Sequence, residues 1–369
     1  MPKLLFFVTE DWYFCSHRLV LAVAAREAGF EVVVVTRVRA HGDIIRRAGL
    51  GLIPFEISRR SMNPLREWRV LARLITIYRR EKPDLIHHVA IKPVLYGTLA
   101  ARLAGMPHII NAMAGMGWLF SSAKLTARFV KPLARLIFRI LLRQSSVIVQ
   151  NPDDAALVAG MGLRDVHLIR GAGVDTQVFH PEPEPDEPPL LVLPARLLWD
   201  KGVGEFVEAA RQLKAWGIVA RFALVGTPDS ENPATVAETQ LTAWQDEGIV
   251  EWWGQRADMP QIFAQAHIVC LPSFYGEGIP KSLLEAAACG RPIVTTDAPG
   301  CREIVQDGYN GLLVPLRNAP ALAEALARLI ADPDMRRRMG ERGRALAVGE
   351  FSQERVIAET LAVYREAMA

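Results

Sequence analysis

Short apolar runs alternate along the chain with longer segments in which apolar residues recur at helical spacing. The short runs, bounded by polar or turn residues, predict strands. In the first half these are Leu4–Thr9, Val32–Thr36, Leu52–Ile57, Leu85–His88, His108–Asn111 and Val147–Gln150. In the second half they are Leu190–Pro194, Phe222–Val225, Val250–Trp253, Ile268–Leu271 and Pro292–Thr295. Helical spacing predicts Arg18–Ala28, Pro64–Arg80, Lys124–Arg143, Gly204–Trp216 and Pro320–Ala331.

Alternation of strands and helices predicts parallel sheets joined by right-handed crossovers. The strand runs are apolar at successive positions, which is typical of sheets covered on both faces. The fold class is therefore α/β. Two such halves predict two Rossmann-like, doubly wound domains facing a cleft.

A proline-rich segment separates the halves. Residues 181–189 read Pro-Glu-Pro-Glu-Pro-Asp-Glu-Pro-Pro and offer no side chain for a core. Such proline density predicts an extended, semi-rigid connector. We therefore predict a first domain over residues 1–180, a linker over 181–189 and a second domain over residues 190–350.

Composition excludes several classes of protein. A chain of 369 residues with 50% hydrophobic and 22% charged residues is not disordered. The longest uncharged stretch, Leu103–Ala123, contains a proline, a histidine, an asparagine and glycines, so it does not read as a membrane span. The four cysteines have no C-x-x-C spacing, which disfavours a zinc site or disulfide framework and fits a reducing cytosol. Neither G-x-G-x-x-G nor a P-loop motif occurs.

Charge differs between the halves. Residues 1–180 carry 25 Lys and Arg against 13 Asp and Glu, a balance of +12, and the remainder carries 18 against 27, a balance of −9. The asymmetry suggests that the first half faces an anionic partner. Chance placement of surface charge is the alternative.

Basic residues follow the first predicted strand of the second half, in Pro194-Ala-Arg-Leu-Leu-Trp-Asp-Lys-Gly202. Ligands of α/β sheets bind at the carboxyl ends of strands. Arg196 and Lys201 therefore lie where a ligand would bind, and Gly202 leads into a helix whose first amides favour an anion. A diphosphate suits this combination of guanidinium, ammonium and N–H groups. Two solvated basic residues in a loop are the alternative.

Two glutamates stand eight residues apart in Gly276-Glu-Gly-Ile-Pro-Lys-Ser-Leu-Leu-Glu285. If Pro280 opens a helix, Glu277 lies on the preceding loop and Glu285 within the helix, and both can face one ligand. Paired carboxylates accept hydrogen bonds from a polyhydroxylated ligand. The neighbours of Glu285 are apolar, which makes a purely solvated role for it a poor explanation.

Glycines end two further predicted strands, at Gly226 and Gly254, and leave room beside the ligand. The backbone near Gln255 and Arg256 could meet a flat base, and Asp258 could cap the next helix. This signal is weak by itself.

Read in order, these motifs resemble the retaining glycosyltransferases of family 4, which have the GT-B fold. The glutamates with seven residues between them are that family's signature. The resemblance implies that Arg196 and Lys201 neutralise a nucleotide diphosphate, that Glu277 contacts the donor sugar and that Glu285 binds ribose hydroxyls. It implies a catalytic set of Glu277, Arg196 and Lys201. The remaining donor-site residues are Glu285, Gly226, Gly254, Gln255, Arg256, Gly278, Ile279 and Pro280.

The resemblance also implies the reaction and a final helix. We expect sugar transfer from a nucleotide diphosphate donor, a UDP-sugar above all, without a metal because no D-x-D motif of the metal-dependent type is present. No cofactor other than the nucleotide-sugar co-substrate is expected. By analogy with the resembled fold, residues 351–369 form a helix that crosses back to the first domain.

The first half resembles a subgroup that acts on polyprenyl-diphosphate-linked sugars. The turn after the first strand lacks the glycines of many relatives and reads Thr9-Glu-Asp-Trp-Tyr-Phe-Cys-Ser-His-Arg18. Candidate acceptor contacts are His17, His88, Lys92 and Asn111, with Lys92 neutralising phosphate. For each histidine, a structural role is the alternative.

Basic residues form one stripe of the predicted helix Lys124–Arg143. They are Lys124, Arg128, Lys131, Arg135, Arg139 and Arg143. A basic amphipathic helix is typical of binding to an anionic membrane surface, and a solvated helix face is the alternative. Nucleic acid is disfavoured as a partner by the acidic second half.

These inferences predict a peripheral enzyme on the cytoplasmic face of a bacterial plasma membrane that extends a lipid-linked glycan. One alternative is a GT-B enzyme with a soluble acceptor. The other is a sugar-nucleotide-binding regulator without turnover.

Overall fold

The computed structural model describes residues 1–58, 63–113, 115 and 125–369, and for residues 125–131 it describes the backbone only. Within them, strands and helices alternate. The strands are β1 (Lys3–Glu10), β2 (Glu31–Arg37), β3 (Gly51–Pro54), β4 (Leu85–Val89), β5 (His108–Met113), β6 (Ser146–Val149), β7 (Val166–Leu168), β8 (Leu190–Pro194), β9 (Arg221–Val225), β10 (Glu251–Gly254), β11 (Ile268–Leu271), β12 (Ile293–Thr296) and β13 (Gly311–Val314).

The helices follow in the same chain order. They are α1 (Asp11–His17), α2 (Leu19–Glu27), α3 (Gly42–Arg47), α4 (Pro64–Glu81), α5 (Ile91–Ala104), α6 (Leu125–Leu142), α7 (Pro152–Ala159), α8 (Val203–Ala215), α9 (Glu238–Asp246), α10 (Met259–Gln265), α11 (Lys281–Ala288), α12 (Ala319–Ala331), α13 (Pro333–Glu350) and α14 (Gln353–Met368).

Contacts divide the chain into two compact units. Unit 1 comprises residues 1–172 and 354–369, and unit 2 comprises residues 173–353. The sheet of unit 1 has the order β3-β2-β1-β4-β5-β6-β7, and that of unit 2 has the order β10-β9-β8-β11-β12-β13. Strands pair in parallel, and each order runs outward from a central pair in both directions. The predicted doubly wound α/β class is confirmed for each unit.

Both faces of the first sheet are buried, which explains the continuous apolar runs. Along β1, Leu4 and Phe6 pack into one hydrophobic core. The alternating residues Leu5 and Phe7 pack into a second core on the opposite face. Successive side chains of a strand point to opposite faces, so a strand between two helix layers must be apolar at every position.

Four described helices of unit 1 were not predicted, namely α1, α3, α5 and α7. α5 packs against both α4 and α6, so its buried residues do not form a single stripe. Without that stripe, and with Pro93 in its first turn, helical periodicity gives no clear signal. α1 is short, and it occupies the segment that sequence reasoning treated as a turn.

The domain boundary differs from the predicted one, and the proline-rich segment belongs to unit 2. The units divide after residue 172, eight residues before the predicted end of the first domain. The guanidinium of Arg291 donates to the carbonyl of Glu182 at 2.8 Å, and Arg336 pairs with Glu184 at 2.8 Å. Proline lacks an N–H group but keeps the carbonyls of its segment available. Arg291 uses the carbonyl of Glu182 and Arg336 uses the carboxylate of Glu184, so residues 181–189 lie against unit 2 instead of forming a free connector.

The C-terminal helix α14 belongs to unit 1 by its contacts. Tyr364 is fully buried in the same core as Phe6. Its hydroxyl lies 2.6 Å from Nδ1 of His87 on β4. The chain therefore returns to its first sheet after completing unit 2.

Candidate functional site

The candidate donor site lies where the strand order of the second sheet reverses. β8 is flanked by β9 on one side and by β11 on the other. Loops that leave the carboxyl ends of such a central pair diverge and leave a crevice. Hydrogen bonds join the two loops, since the N–H of Phe274 and the hydroxyl of Ser273 both donate to the carbonyl of Asp200, at 3.1 and 3.2 Å.

Lys201 and Glu277 meet in this crevice. Lys201 ends a 3₁₀ turn after β8, and its Nζ pairs with Oε2 of Glu277 from the loop after β11. Their side chains are 13% and 16% exposed. The other carboxylate oxygen, Oε1 of Glu277, is buried and forms no hydrogen bond. A buried acceptor without a donor is costly, so this oxygen is available to a hydroxyl group of a ligand.

Arg196 lies in the same loop as Lys201 and pairs with Asp229. Its Nη1 is 2.7 Å from Oδ2 of Asp229, and its side chain is 42% exposed. Burial raises the pKa of Tyr275, the charges of Glu277 and Asp200 raise it further, and the charge of Arg196 lowers it. The charges of Arg196, Asp200 and Glu277 thus all act on the phenol of Tyr275.

Glycines permit the close approach of the loops at this site. Gly202 has φ +75°, and a Cβ there would lie 2.2 Å from the carbonyl oxygen of Pro272. Gly226 has φ +145°, and a Cβ would lie 1.9 Å from the carbonyl oxygen of Ala195. Only glycine fits both the backbone conformation and the space. Gly202 also precedes α8, whose first N–H groups have no helical partners and favour an anion.

Glu285 lies on α11, which begins after Pro280 as the sequence indicated. Its Oε1 is 3.3 Å from Nζ of Lys281 one turn earlier. Burial raises the pKa of Glu285, and the charge of Lys281 opposes that shift. Among the described contacts, none joins Glu285 to Glu277, so a shared ligand remains a prediction.

The segment after β10 is more exposed than the loops of the central pair. Gly254 has φ +67° and no atom within 4 Å of the position of a Cβ. Gln255 is exposed, and the guanidinium of Arg256 pairs with Asp258 at 2.6 Å. Asp258 precedes α10 but its side chain does not cap that helix, because its carboxylate binds Arg256 instead.

The remaining predicted donor residues lie between Glu277 and α11. Ile279 is buried at 6% exposure. The carbonyl of Gly278 faces Gly300, where a Cβ would lie 2.2 Å from it. Pro280 is the N-cap of α11. Their contact with a nucleotide stays a prediction.

Two of the acceptor candidates in unit 1 are wrong, because they are enclosed in the core. His88 and Asn111 are both 0% exposed. Nδ1 of His88 lies 2.9 Å from Oδ1 of Asn111, and its Nε2 lies 3.0 Å from the hydroxyl of Tyr78. Asn111 also donates to Ser145 at 2.9 Å. Burial lowers the pKa of His88 to about 4, so the ring is neutral and structural.

The other two candidates are accessible but engaged. His17 stacks on Tyr13 with ring centroids 4.2 Å apart. Nζ of Lys92 pairs with Glu67 at 2.9 Å and donates to the carbonyl of Ser58 at 2.8 Å. The predicted acceptor roles of His17 and Lys92 stay predictions.

The predicted basic stripe falls on α6 and is partly outside the described residues. Lys124 lies outside them, and the side chains of Arg128 and Lys131 are not described. Arg135, Arg139 and Arg143 are exposed. Apolar side chains beside them are exposed as well: Leu133 at 59%, Leu136 at 52%, Ile137 at 41% and Ile140 at 57%.

Sequence reasoning missed Asp229 and Tyr275 at the donor site. Asp229 lies in an irregular loop after β9, where the N–H of Glu231 donates to its Oδ1 at 3.1 Å. An isolated acid and an isolated tyrosine in loops carry no spacing signal. The one indication of their role is that they follow β9 and β11, the two strands that flank β8. Ligands of such sheets bind at the carboxyl ends of these strands.

Within the described ranges, no group of three or more His, Cys, Asp or Glu residues is arranged to hold a metal ion. No described helix has the length and apolarity needed to cross a bilayer.

Two family models match the chain. Residues 175–346 match the family described as glycosyl transferases group 1, and residues 3–151 match the family described as glycosyl transferase 4-like. These segments correspond to the greater part of unit 2 and of unit 1.

Individual proteins are similar over most of the chain. An N,N'-diacetylbacillosaminyl-diphospho-undecaprenol alpha-1,3-N-acetylgalactosaminyltransferase of Campylobacter jejuni is 30% identical over 335 residues, covering 86% of this chain and 87% of the relative. An alpha-maltose-1-phosphate synthase of Mycolicibacterium smegmatis is 29% identical, covering 78% and 80%. The structure of sucrose-phosphate synthase from Thermosynechococcus elongatus has a TM-score of 0.82 at 20% identity, covering 99% of each chain. That last likeness concerns the fold alone.

Proposed function

This chain belongs to the group 1 glycosyltransferases and has the GT-B fold, and we propose that it transfers a sugar from a UDP-sugar to a glycan carried on a polyprenyl diphosphate. The sugar is a hexose or N-acetylhexosamine, and its anomeric configuration is retained. The glycan belongs to bacterial cell-surface polysaccharide or glycoprotein assembly. The part of the proposal that concerns the sugar donor rests on the Lys201–Glu277 pair, which lies where the strand order of the second sheet reverses.

The donor side of the reaction needs positive charge where the diphosphate departs. Breaking the bond between the anomeric carbon and the phosphate oxygen leaves the electron pair on the diphosphate. Lys201, Arg196 and the first N–H groups of α8 supply donors there. Charge stabilisation by fixed donors of this kind is the main contribution that a protein makes to such a departure.

The two glutamates bind the sugar and the nucleoside in this proposal. The buried, unpartnered Oε1 of Glu277 accepts a hydrogen bond from a donor-sugar hydroxyl. Glu285 accepts hydrogen bonds from the ribose hydroxyls. The carboxyl group of Glu285 is buried among apolar residues, where hydrogen bonds from a ligand would stabilise it. The sequence has no D-x-D motif of the metal-dependent type, and we propose that transfer proceeds without a metal.

The acceptor assignment is supported by the Campylobacter jejuni relative, whose name gives a diphospho-undecaprenol-linked acceptor. That relative shares 30% identity across both units. A lipid-linked acceptor requires an enzyme that works at a membrane surface.

The exposed face of α6 supports a membrane-surface location on the cytoplasmic side. Arg135, Arg139 and Arg143 are exposed there, next to exposed Leu133 and Leu136. Basic groups attract anionic headgroups, and apolar side chains enter the acyl boundary. Solvent-exposed leucines on a monomeric surface are otherwise unfavourable when they cluster.

The test is a transfer assay with a matrix of donors and acceptors. UDP-, GDP- and ADP-sugars are combined with a polyprenyl-diphosphate-linked saccharide and with soluble acceptors, and products are identified by mass and by the anomeric coupling in NMR spectra. We expect transfer from a UDP-sugar to the lipid-linked acceptor, with retention. Transfer only from another nucleotide, or inversion, contradicts the proposal.

A soluble acceptor is the second candidate, and the 29% identity to an alpha-maltose-1-phosphate synthase favours it. The same assay separates the two, because a soluble-acceptor enzyme gives product without lipid. Donor binding without turnover on any acceptor indicates a regulator instead.

A further inference from the structure

An exposed tryptophan and an exposed leucine lie beside arginines on the first turns of α4. Trp68 is 69% exposed and Leu65 is 73% exposed. Arg66, Arg69 and Arg73 are exposed on the same turns. Residues three and four apart are neighbours on a helix surface, so these five side chains form one patch, which we call the α4 patch. Tryptophan and leucine beside basic groups are typical of a surface that binds an anionic lipid interface.

The buried side of α4 holds the patch in its outward position. The side chain of Asn63 caps the helix by accepting from the N–H groups of Leu65 and Arg66, at 3.1 and 3.4 Å. Val70 and Leu74 belong to the core on the inner side of the helix. Because that side is packed, rotation of α4 cannot bury Leu65, and its contact with water is a fixed feature of unit 1.

The helices α4, α5 and α6 cover the same face of the first sheet. Ile109 of β5 belongs to the core beneath α4, and Met113 of the same strand belongs to the core beneath α6. An even number of positions separates these residues, so their side chains point to one face of the sheet. The three helices therefore form one outer layer of unit 1.

Hydrogen bonds tie this outer layer together at the C-terminal ends of its helices. The guanidinium of Arg79 on α4 donates to the carbonyl of Leu103 on α5 at 3.1 Å. The guanidinium of Arg102 on α5 donates to the carbonyl of Ile140 on α6 at 2.9 Å. The α4 patch and the exposed apolar side chains of α6 are thus held at a fixed spacing.

The described part of the outer layer contains no acid without an ionic partner. α5 and α6 contain no Asp or Glu, and α4 contains only Glu67 and Glu81. Glu67 pairs with Lys92 and Glu81 pairs with Arg80, each at 2.9 Å. A surface with basic and apolar groups and without opposing acids complements anionic headgroups and the acyl boundary beneath them.

The α4 patch lies near the ligand-binding edge of the first sheet. Glu67 stands between Arg66 and Trp68 in the sequence, and its partner Lys92 lies in the first turn of α5, directly after β4. β1 and β4 are the neighbouring strands at which the order of this sheet reverses. Ligands of doubly wound sheets bind at that point. A membrane bound at the α4 patch is therefore close to the strand ends where unit 1 would bind an acceptor.

We propose that the α4 patch docks unit 1 on an anionic membrane. Trp68 and Leu65 enter the boundary between headgroups and acyl chains, and Arg66, Arg69 and Arg73 bind lipid phosphates. The exposed face of α6 docks at the same time, because both belong to the outer layer. This inference deepens the proposed membrane-surface location and rests on the proposed function for the identity of the partner.

The first test is co-sedimentation of the double variant Leu65→Ser with Trp68→Ser on phosphatidylglycerol vesicles. We expect binding to be roughly tenfold weaker than for the wild type at 50 mM NaCl, and the defect to persist at 500 mM NaCl because apolar insertion is not screened. The matched control is Trp216→Ser with Val219→Ser, at positions of unit 2 that are 51% and 75% exposed. It should bind as the wild type does. All four side chains are exposed, so the melting temperatures of both variants should match that of the wild type.

The outcomes separate this inference from the proposed function. If the wild type binds no anionic vesicles, the proposed membrane location and this inference both fail. If the wild type binds and the Leu65, Trp68 variant binds equally well, only this inference is overturned. Replacement of Arg66, Arg69 and Arg73 with Gln tests the partner. If that variant elutes earlier from heparin and binds vesicles normally, the patch serves a soluble polyanion and the inference is wrong.

A second test measures whether Trp68 reaches the acyl boundary. Brominated phosphatidylcholine, mixed into the phosphatidylglycerol vesicles, quenches the fluorescence of tryptophans that approach its bromine atoms. We expect more quenching in the wild type than in Trp68→Phe, which keeps an aromatic side chain and membrane binding. Equal quenching in the two proteins shows that Trp68 does not insert.

A third test asks whether α4 and α6 dock together. The Leu65, Trp68 variant is combined with replacement of Leu133, Leu136 and Ile140 by Ser. If both faces bind at once, each set of replacements weakens vesicle binding by itself, and the combined loss is close to the product of the separate losses. Separate losses below twofold, with binding abolished in the combination, show that the two faces dock alternately and overturn simultaneous docking.

Discussion

Nζ of Lys201 pairs with one oxygen of the Glu277 carboxylate, and the other oxygen is buried without a hydrogen-bond partner. The ammonium and the carboxylate come from loops after different strands, β8 and β11. Hydrogen bonds to the carbonyl of Asp200 fix those loops to one another. The pair therefore keeps a cation and a free acceptor oxygen at one place before any ligand arrives, which reduces the ordering cost of binding.

Glu277→Gln should lower kcat by about 100-fold or more, while the KM for the donor stays within a few-fold. The amide has nearly the same size as the carboxylate, but it accepts a hydroxyl hydrogen bond without the negative charge that Glu277 brings. Initial rates over a range of donor concentrations give kcat and the donor KM separately. Glu324→Gln, at an exposed position of α12, is the matched control. A variant that retains wild-type kcat would remove Glu277 from the reaction.

Lys201→Ala should lower the free energy of unfolding by about 2 kcal/mol, because it leaves the Glu277 carboxylate mostly buried and without its cation. The double variant Lys201→Ala with Glu277→Ala should be less destabilised than the sum of the two single variants. Urea unfolding of all four proteins gives the coupling free energy. Strict additivity would show that the pair contributes no stability.

Gly226 and Gly254 make a matched pair of left-handed glycines at the ends of neighbouring strands. Gly226→Ala should destabilise unit 2 by about 3 kcal/mol or more, because its Cβ would lie 1.9 Å from the carbonyl of Ala195. The Cβ of Gly254→Ala would meet no atom within 4 Å. This variant should therefore lose only about 1 kcal/mol of unfolding free energy, because alanine disfavours the left-handed backbone conformation. Equal losses in denaturant unfolding would contradict the steric explanation.

The sheets and the donor-site motifs were predictable because each depends on local sequence. Buried strands such as Leu190–Pro194 are apolar at every position, and Lys201 and Glu277 lie in the loops that follow β8 and β11. Other features depend on tertiary contacts. Helix α5 lacks a single apolar stripe because it packs on two helices. In the proline-rich segment, the carbonyl of Glu182 binds Arg291 and the carboxylate of Glu184 binds Arg336, and these arginines lie 109 and 152 residues away.

The histidines of unit 1 illustrate the same limit. Nothing in the sequence distinguishes an accessible histidine from one that is enclosed among Tyr78, Thr98 and Asn111. The prediction of His88 as an acceptor contact failed for that reason. Its neighbour His87, which points to the opposite face of β4, was not singled out, although the structure leaves its Nε2 unpartnered.

His88 should make the protein less stable in acid. Burial lowers its pKa to about 4, below the ordinary value of 6.5, so the folded state favours the neutral ring. The neutral ring therefore contributes fully to the free energy of unfolding above pH 6.5. This contribution, up to about 3 kcal/mol, is lost as the pH falls toward 4. The difference in unfolding free energy between wild type and His88→Gln, measured from pH 7 to 5, isolates this residue because Glu285 titrates in both. A difference that does not change with pH would contradict the assignment.

The exposed face of α6 should bind anionic vesicles through two kinds of side chain. Replacing Arg135, Arg139 and Arg143 with Gln removes three charges worth about 1 kcal/mol each near an anionic surface, so we expect roughly 100-fold weaker binding at low salt. Replacing the exposed Leu133, Leu136 and Ile140 with Ser should also weaken binding, but in a manner independent of salt, because apolar insertion is not screened. Co-sedimentation with vesicles of phosphatidylglycerol at 50 and 500 mM NaCl measures both effects.

The control for the arginines is a triple replacement on unit 2, Arg328, Arg337 and Arg338 with Gln, which removes the same charge from exposed helix positions. Its binding should fall much less, because net charge alone acts weakly at a distance beyond one Debye length. If both triple variants lose binding equally, the attraction comes from overall charge, and α6 is a solvated helix face. If only the α6 variant loses binding but transfer to a lipid-linked acceptor in detergent is unaffected, α6 acts in locating the enzyme at the membrane and does not contact the acceptor.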